Sequence, residues 1–407
     1  MNQERELQNP WLMLVCAWLM GFAMYAPMLS VPPVIHIIMR EMRLTHAQAG
    51  LIFAAPLIML AAFAIPSGTL ADRIGIRKAA GIGIAIIIVG SLLRGTASNF
   101  ETLLAFTCIY GAGFGLVYPN LPKLVGTCFP PEKIGLATGI YATGILIGCA
   151  LPLSITLPIV LPVTNTFQGV FYIWTIPAIV VAAMWWILVK DPDHGRVHSE
   201  QISEGYKSSH RIWTNRALWI VAILSFCENA LFYSWSGWTP ALMMMKGASP
   251  DLAALMTSVI VWIGLPIVFL MPWVSYKVGL RKPFIWASTI ILCLTAWGAI
   301  FSSLSLGWLI VGAIGLANNT FFVMILALPA ELVPPQDIGR ASGMQLSIGY
   351  IGGLVGPWVA GYIMDITGTL DLDLIILIGL SAVATYLAFT LPETGPRARA
   401  NSKKVAS

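Results

Sequence analysis

The stretch GTLADRIGIRKAA, residues 68–80, places four charged side chains in a short segment between two long apolar runs. Only 10% of the 407 residues are charged, so this concentration is unusual for the chain. Part of the stretch recurs 204 residues later as VGLRKPF at 278–284. The four charged residues are Asp72, Arg73, Arg77 and Lys78.

A second pair of segments has the same offset. FPPEKIGLATGI at 129–140 matches VPPQDIGRASGM at 333–344, again 204 residues apart. Two loops that share one offset, equal to about half the chain, indicate an internal duplication. We expect an amino-terminal six-helix bundle at 1–189, a cytoplasmic linker at 190–212, a carboxy-terminal six-helix bundle at 213–395 and a cytoplasmic tail at 396–407.

The composition is that of a membrane protein. Hydrophobic residues make up 57% of the chain and its mean hydropathy is +0.81, whereas soluble domains are about half apolar and a quarter charged. Twelve apolar stretches occur, most of them as long as the ~20 residues that a helix needs to cross a bilayer. Short segments of alternating polarity, typical of membrane β-barrels, are not found. The predicted spans are 11–31, 47–70, 79–97, 102–121, 134–157, 167–189, 217–239, 251–273, 284–301, 306–329, 339–363 and 372–391.

The basic residues predict the orientation, because cytoplasmic loops retain an excess of Lys and Arg. With both termini cytoplasmic, 19 of the 23 basic residues lie on that side and only Arg40, Arg43, Arg94 and Lys246 lie on the other. The net charge of +5 follows from this asymmetry and gives no reason to expect a nucleic-acid partner. We expect a multi-pass, monomeric protein of the plasma or inner membrane, with the lipid bilayer as its surroundings.

These features resemble the major facilitator superfamily. Its loop pattern G-x-L-x-D-R-x-G-R-[RK]-[RK] is present between the second and third spans, with Ile76 where a basic residue is common. The resemblance implies an all-α integral membrane fold of twelve helices in two pseudo-symmetric six-helix bundles, which rock about a central site. LLRGT at 92–96, NLPKLVGTCFPP at 120–131 and IGLATGIY at 134–141 further resemble the cyanate and nitroimidazole permease branch.

The resemblance implies that the loop is a conformational latch formed by Gly68, Asp72, Arg73, Gly75, Arg77 and Lys78. Asp72 would lie at the positive end of a helix of the other half, an arrangement worth ~0.3–1 kcal/mol. The basic residues could pair with Glu132 and Glu331, or Arg77 and Lys78 could serve only as positive-inside anchors. The second copy has Tyr276 and Lys277 in place of the acid and its neighbour, so we expect a latch in the first half alone.

Glu228 is the only acidic residue deep in a predicted span, about eleven residues and ~16 Å into the seventh helix. Ionisable residues inside a membrane are costly and point to function. Burial favours the neutral acid, which suits a proton carrier. Glu228 is therefore the predicted proton-coupling residue, with a permanently protonated structural glutamate as the alternative.

Helices 1, 4, 7 and 10 line the cavity in this superfamily, and their mid-span polar residues are the predicted solute ligands. Interhelical hydrogen bonds are the alternative for the amides, since buried amides need partners. Arg94, near the outer end of the third helix, could attract anions into the cavity or extend to the interface. The candidate ligands are Tyr25, Arg94, Tyr118, Asn120, Asn229, Tyr233, Asn318 and Asn319, with Tyr141 and Gln345 at equivalent places in helices 5 and 11.

Three further expectations concern chemistry. The six cysteines are scattered without C-x-x-C spacing, so neither a metal site nor a cofactor is predicted. No G-x-S-x-G or H-E-x-x-H motif appears, and the chain is not expected to be an enzyme. Trp235 and Trp238 are expected at the outer membrane interface, where aromatic residues are enriched, and gate residues are the alternative.

The predicted function is secondary transport of a small polar solute, in particular an organic or inorganic anion, with or without a coupled proton. The alternative is proton-driven export of drugs or apolar metabolites. Exporters of the superfamily carry G-x-x-x-G-P-x-x-G-G in helix 5, but GLATGIYATGILIGCALP at 135–152 lacks the Gly-Pro pair. A looser counterpart, GYIGGLVGPWVAG at 349–361, lies in helix 11.

Overall fold

The computed structural model describes residues 9–129, 131–189, 211–334, 337–395 and 397. Within these ranges most residues are helical and no β-strand occurs. Twelve helices of this described part are long and apolar enough to cross a membrane. They are α1 (Pro10–Met42), α2 (His46–Ile74), α3 (Ile76–Arg94), α4 (Phe100–Cys128), α5 (131–164), α6 (Phe167–Leu188), α7 (Arg216–Met245), α8 (Pro250–Val278), α9 (Lys282–Phe301), α10 (Leu304–Leu332), α11 (Ile338–Thr367) and α12 (Asp371–Thr390).

The predicted all-α fold is confirmed. In the first bundle α1 packs on α5, and α4 packs on α2 and α3; in the second, α7 packs on α11, and α9 packs on α10 and α12. The two bundles meet along α2 with α11 and along α5 with α8. Most of the predicted linker, 190–210, and the tail from 398 lie outside the described residues, so the exact domain boundaries stay a prediction.

Polar side chains fix where several spans begin. Thr45 caps α2 and forms a reciprocal capping box with Gln48, and Asn99 does the same for α4 with Thr102. Such caps satisfy backbone N–H groups that have no partner inside the helix. The short connections that precede α2 and α4 are therefore defined by local sequence.

Four of the described spans that bound the centre contain a break. The breaks are at Ser30 in α1, between Val117 and Asn120 in α4, at Ile263 in α8 and at Ala327 in α10. A proline, which cannot donate a backbone hydrogen bond, lies within three residues of each break. Interrupted helices are characteristic of solute sites in transporters.

The two glycines that the duplicated loops share have a conformational role. Gly75 joins α2 to α3 with a φ of 93°, and Gly279 ends α8 with a φ of 80°. A residue with a side chain is strained at such angles. The duplication therefore preserves the glycine because each loop turns through a backbone conformation that favours it.

Candidate functional site

A cavity of about 370 Å³ lies between the two bundles, bounded by α1, α4, α5, α7, α8, α10 and α11. Pockets that bind small molecules have volumes of roughly 300–1,000 Å³. Its wall combines aromatic rings, hydroxyl and amide groups and one carboxyl group. The cavity is thus large enough for a small polar solute.

Five tyrosines form much of the wall. Tyr118 of α4 packs edge-on against Tyr350 of α11 with ring centroids 6.0 Å apart, so this contact joins the two halves. Tyr25 packs against Tyr118 in turn, at 6.4 Å. Tyrosine presents a flat apolar face and a polar hydroxyl, an arrangement suited to a planar solute with polar edges. The five are Tyr25, Tyr118, Tyr141, Tyr233 and Tyr350.

The Glu228 side chain lies in the α7 wall of the cavity and is 3% exposed. Its Oε2 accepts a hydrogen bond from Asn229 Nδ2 at 3.0 Å, and its Oε1 accepts one from Asn318 Nδ2 at 3.2 Å. Among the described residues, those that line this cavity include no Lys, Arg or His. The carboxyl group is therefore held by neutral amides and not by a positive partner.

Most of the predicted ligands line this cavity, although whether they bind solute stays a prediction. Asn319 serves a structural purpose as well, because its Nδ2 donates to the Ile260 carbonyl oxygen at 2.9 Å and so ties α10 to α8. The residues placed together are Tyr25, Tyr118, Tyr141, Glu228, Asn229, Tyr233, Asn318 and Asn319.

Asn120 and Gln345 do not line the cavity, and the prediction for them is corrected. Asn120 Nδ2 donates to Ser67 Oγ at 3.0 Å, and Gln345 Nε2 donates to Ser225 Oγ at 2.8 Å. Both amides are buried, at 1% and 4% exposed. Each amide therefore donates its N–H groups to acceptors inside its own bundle, which is the interhelical role named as the alternative.

Arg94 does not line the cavity in this conformation, and its role as a solute ligand stays a prediction; its side chain is buried and does not extend to the membrane interface. It is 1% exposed, and its Nη1 donates to the Pro27 carbonyl oxygen at 3.1 Å. The guanidinium lies 4.2 Å from the ring centroid of Phe171 and 5.3 Å from that of Tyr110. The Tyr110 hydroxyl donates to the Met24 carbonyl. Arg94 and Tyr110 thus bind carbonyls on both sides of Tyr25 and fix the α1 backbone near its break.

Trp235 and Trp238 are also placed differently from the expectation. They are 2% and 5% exposed and so are not interface residues. Trp238 Nε1 donates to the Pro357 carbonyl oxygen at 2.9 Å, joining α7 to α11. Their position next to the contact between the halves explains their burial.

The ends of α2 and α11 form a closure between the halves, on the side that the basic residues predict to be the outer side. Asp365 Oδ1 accepts hydrogen bonds from the His46 backbone N–H at 2.7 Å and lies 2.8 Å from His46 Nδ1. Its Oδ2 accepts from the Ala47 N–H at 2.8 Å. The carboxylate of one half therefore caps the first turn of a helix in the other half, a favourable place for negative charge.

Backbone contacts extend this outer closure. A Cβ on Gly50 would overlap the Pro357 carbonyl, and one on Gly361 would overlap the His46 carbonyl. Phe53 packs against Gly237 one turn further in. The outer parts of α2 and α11 can touch this closely only because these positions lack side chains.

On the opposite side, the duplicated loops are anchored within their own halves. Arg77 Nη2 donates to the Trp186 carbonyl near the end of α6 at 2.5 Å, and Lys282 Nζ donates to the Phe389 carbonyl near the end of α12 at 2.6 Å. Basic side chains are favourable near carbonyl ends of helices. Each loop thus uses one residue of its Arg-Lys pair, the Arg in the first half and the Lys in the second, to bind the carbonyl end of the last helix of its own half.

The latch stays a prediction. Glu331, one of its predicted partners, is bound in this conformation by Arg281 of its own half, with Nη2 to Oε1 at 2.8 Å. The side chains of Asp72 and Glu132 lie outside the described part of the structure.

Several cavity residues were missed. Tyr350 is equivalent to Leu146 under the offset of 204, and both line the cavity. Extending the comparison of helices 5 and 11 by one further turn would have found this pair. Thr138, Phe232 and Phe269 also line the cavity, but nothing in their sequence context distinguishes them from packing residues.

Two six-helix bundles around a central polar cavity define a membrane carrier. The chain matches the family model described as Major Facilitator Superfamily over residues 13–275 and 243–407. These ranges cover nearly all of the sequence, and the chain therefore belongs to the Major Facilitator Superfamily. It is a multi-pass membrane transporter of small molecules and not an enzyme.

Relatives extend along almost the whole chain. It is 26% identical to the uncharacterized transporter YycB of Bacillus subtilis, covering 92% of each chain. It is 23% identical to the cyanate transport protein CynX of Escherichia coli, covering 89% of this chain and 92% of the relative. It is 22% identical to the 2-nitroimidazole transporter of Escherichia coli, covering 88% of each. The resemblance to the cyanate and nitroimidazole branch is confirmed.

The fold is shared with solved structures. A bacterial homologue of the human lysosomal transporter Spinster, in an inward-facing and occupied conformation, superposes with a TM-score of 0.78 at 16% identity. The match covers 93% of this chain and 95% of that one. At this identity the comparison supports the architecture of two six-helix bundles alone.

Proposed function

We propose that the chain carries a small, planar, polar solute across the inner membrane by alternating access, together with a proton on Glu228. The observation that carries this proposal is the Glu228 carboxyl group, held by two amides in a tyrosine-lined cavity between the halves. Both termini are proposed to be cytoplasmic, which makes the α2–α11 closure the outer one. The loop at 68–78 is proposed to latch the cytoplasmic side.

The charge of the cavity restricts how an anion could be carried. Relatives such as CynX, named for cyanate transport, favour an anionic solute. Arg94 does not support an anionic solute in this conformation, because no cationic side chain is among the described residues that line the cavity. An anion beside an ionised Glu228 would be repelled, whereas a protonated Glu228 can donate a hydrogen bond to it. We therefore propose that a monovalent anion binds with a proton, as a neutral pair.

A stabilisation screen tests the solute class. Thermal unfolding of the purified protein is measured with cyanate, benzoate, 2-nitroimidazole, a neutral amide and a lipophilic cation. We expect stabilisation by a planar anion or a planar neutral solute, reaching about 2.7 kcal/mol at 100 times Kd, and stronger anion binding at acidic pH. A response confined to the lipophilic cation would favour the exporter alternative and contradict the proposal.

Glu228→Gln tests the proton role. The amide imitates a protonated carboxyl group but cannot release a proton, so solute binding is expected to persist and to lose its pH dependence. In proteoliposomes, accumulation driven by a pH gradient is expected to disappear while solute exchange continues. Glu228→Asp, which keeps an acid, is the matched control and should retain part of the pH-driven accumulation. Undiminished proton dependence in Glu228→Gln would remove Glu228 from the mechanism.

A further inference from the structure

A second, much smaller cavity lies outside the central site, between the outer half of α7 and the first turns of α12. Its volume is about 10 Å³, and it is lined by Ser234, Trp235, Trp238, Thr239 and Asp373 together with four leucines. A buried water needs roughly 10–15 Å³ and two to four polar partners. The cavity therefore has the size of a single water molecule.

The polar groups around this cavity lack partners within the described structure. The Ser234 hydroxyl, the Thr239 hydroxyl and Trp235 Nε1 are buried and form no hydrogen bond there. Asp373 is 4% exposed, and its carboxyl group likewise takes part in no hydrogen bond or ion pair with a described residue. Buried polar groups are normally satisfied, so a cluster of four around one water-sized space points to an occupant.

The charges around the cavity determine the state of the acid. Asp373 is the only titratable group among the lining residues of α7 and α12. Asp371, two residues before Asp373, is exposed, and Lys246 at the end of α7 donates to the Ser302 carbonyl oxygen. The pair His46 and Asp365 lies beyond the Trp238 ring, whose centroid is 5.9 Å from that of the His46 ring. A carboxylate buried without a positive partner is strongly disfavoured. The neutral acid is the form that this site can hold.

We propose that Asp373 and one bound water form a second proton-binding site, separate from Glu228. The protonated carboxyl group donates to the water, which the two hydroxyl groups and the indole N–H surround. The indole donor favours water over a metal cation, because an N–H group cannot ligate a cation. Trp238 lines the site and also packs in the outer closure, so opening of the outer side brings external water to Asp373 and lets its proton exchange.

Infrared spectroscopy of the full-length protein tests the site without knowledge of the solute. The measurements use the Glu228→Gln protein, so that the band of a protonated carboxylic acid at Glu228 is absent. We expect a remaining carboxylic-acid band at neutral pH that Asp373→Asn removes. Asp371→Asn is the matched control, because Asp371 is an exposed acid in the same first helical turn and its loss is expected to leave the band unchanged.

Two further measurements keep the test decisive if Asp373→Asn does not fold. Thr239→Val leaves the carboxyl group in place and removes one partner of the water, and we expect it to shift the band frequency. Absence of any band that responds to Asp373→Asn or Thr239→Val overturns the proposal. Thermal stabilisation by NaCl over KCl that is lost with Asp373→Asn or Thr239→Val also overturns it, in favour of a sodium site. Because Glu228 is absent throughout, failure here does not bear on the proposed coupling role of Glu228.

Discussion

Asp365→Ala is expected to shift the transporter from the outer-closed to the outer-open conformation. The Asp365 carboxylate accepts hydrogen bonds from the backbone N–H groups of His46 and Ala47 across the interface between the halves. Hydrogen bonds to charged groups contribute about 1.5–3 kcal/mol each, and both are lost when α2 and α11 separate. The hydrogen-bonded groups are partly exposed, so water compensates part of this loss. A net loss of ~2 kcal/mol from the outer-closed conformation lowers the ratio of outer-closed to outer-open molecules about 30-fold.

Spin labels at the outer ends of the two halves measure this ratio. Glu41 and Ile366 are exposed positions beside the closure and can be replaced by labelled cysteines in a variant without the six native cysteines. The Asp365→Ala distance distribution is expected to gain a longer component. Asp251→Ala is the control, because Asp251 is an exposed acid at the same side of the membrane. An unchanged distribution would show that the carboxylate does not hold the closure.

The sequence was sufficient to predict the architecture because the signals for it are local and repeated. Hydrophobic length determines the spans, and the single offset of 204 residues identifies the two halves. The duplicated Gly75 and Gly279 have the same physical cause, a positive φ at a tight connection. Glu228 stood out since an acid in the middle of an apolar span has few explanations.

The remainder of the site depends on how helices pack, which the sequence does not reveal. Whether Arg94 faces the cavity or the carbonyl of Pro27 is decided by the rotation of α3 against α1. His46 and Asp365 are 319 residues apart, and each resembles an ordinary loop residue until the halves meet. Asp373 is close to the start of α12, where an acid is expected at a helix N-terminus, and only its burial against α7 makes it exceptional.

Gly50→Val is expected to prevent outer closure while leaving each half folded. A side chain at Gly50 would meet the Pro357 backbone, and backbone cannot move aside as the end of a flexible side chain can. Overpacking costs about 1–3 kcal/mol, and the whole of this cost falls on the closed state because α2 and α11 part when the outer side opens. The ratio of outer-open to outer-closed molecules is therefore expected to rise about 5- to 150-fold. Transport is expected to be strongly reduced, because the cycle requires the outer-closed form.

Gly352→Val provides the matched control for Gly50→Val. Gly352 of α11 approaches the Phe226 backbone of α7 as closely as Gly50 approaches Pro357, but Gly352 and Phe226 both belong to the second half. A side chain there strains the bundle in every conformation, so we expect a lower thermal midpoint and no change in the label distances between Glu41 and Ile366. If Gly50→Val lowered the thermal midpoint as much and left the distances unchanged, α2 and α11 would have to stay in contact throughout the cycle. The contact at Gly50 would then stabilise the fold in every conformation and would play no part in opening and closing the outer side.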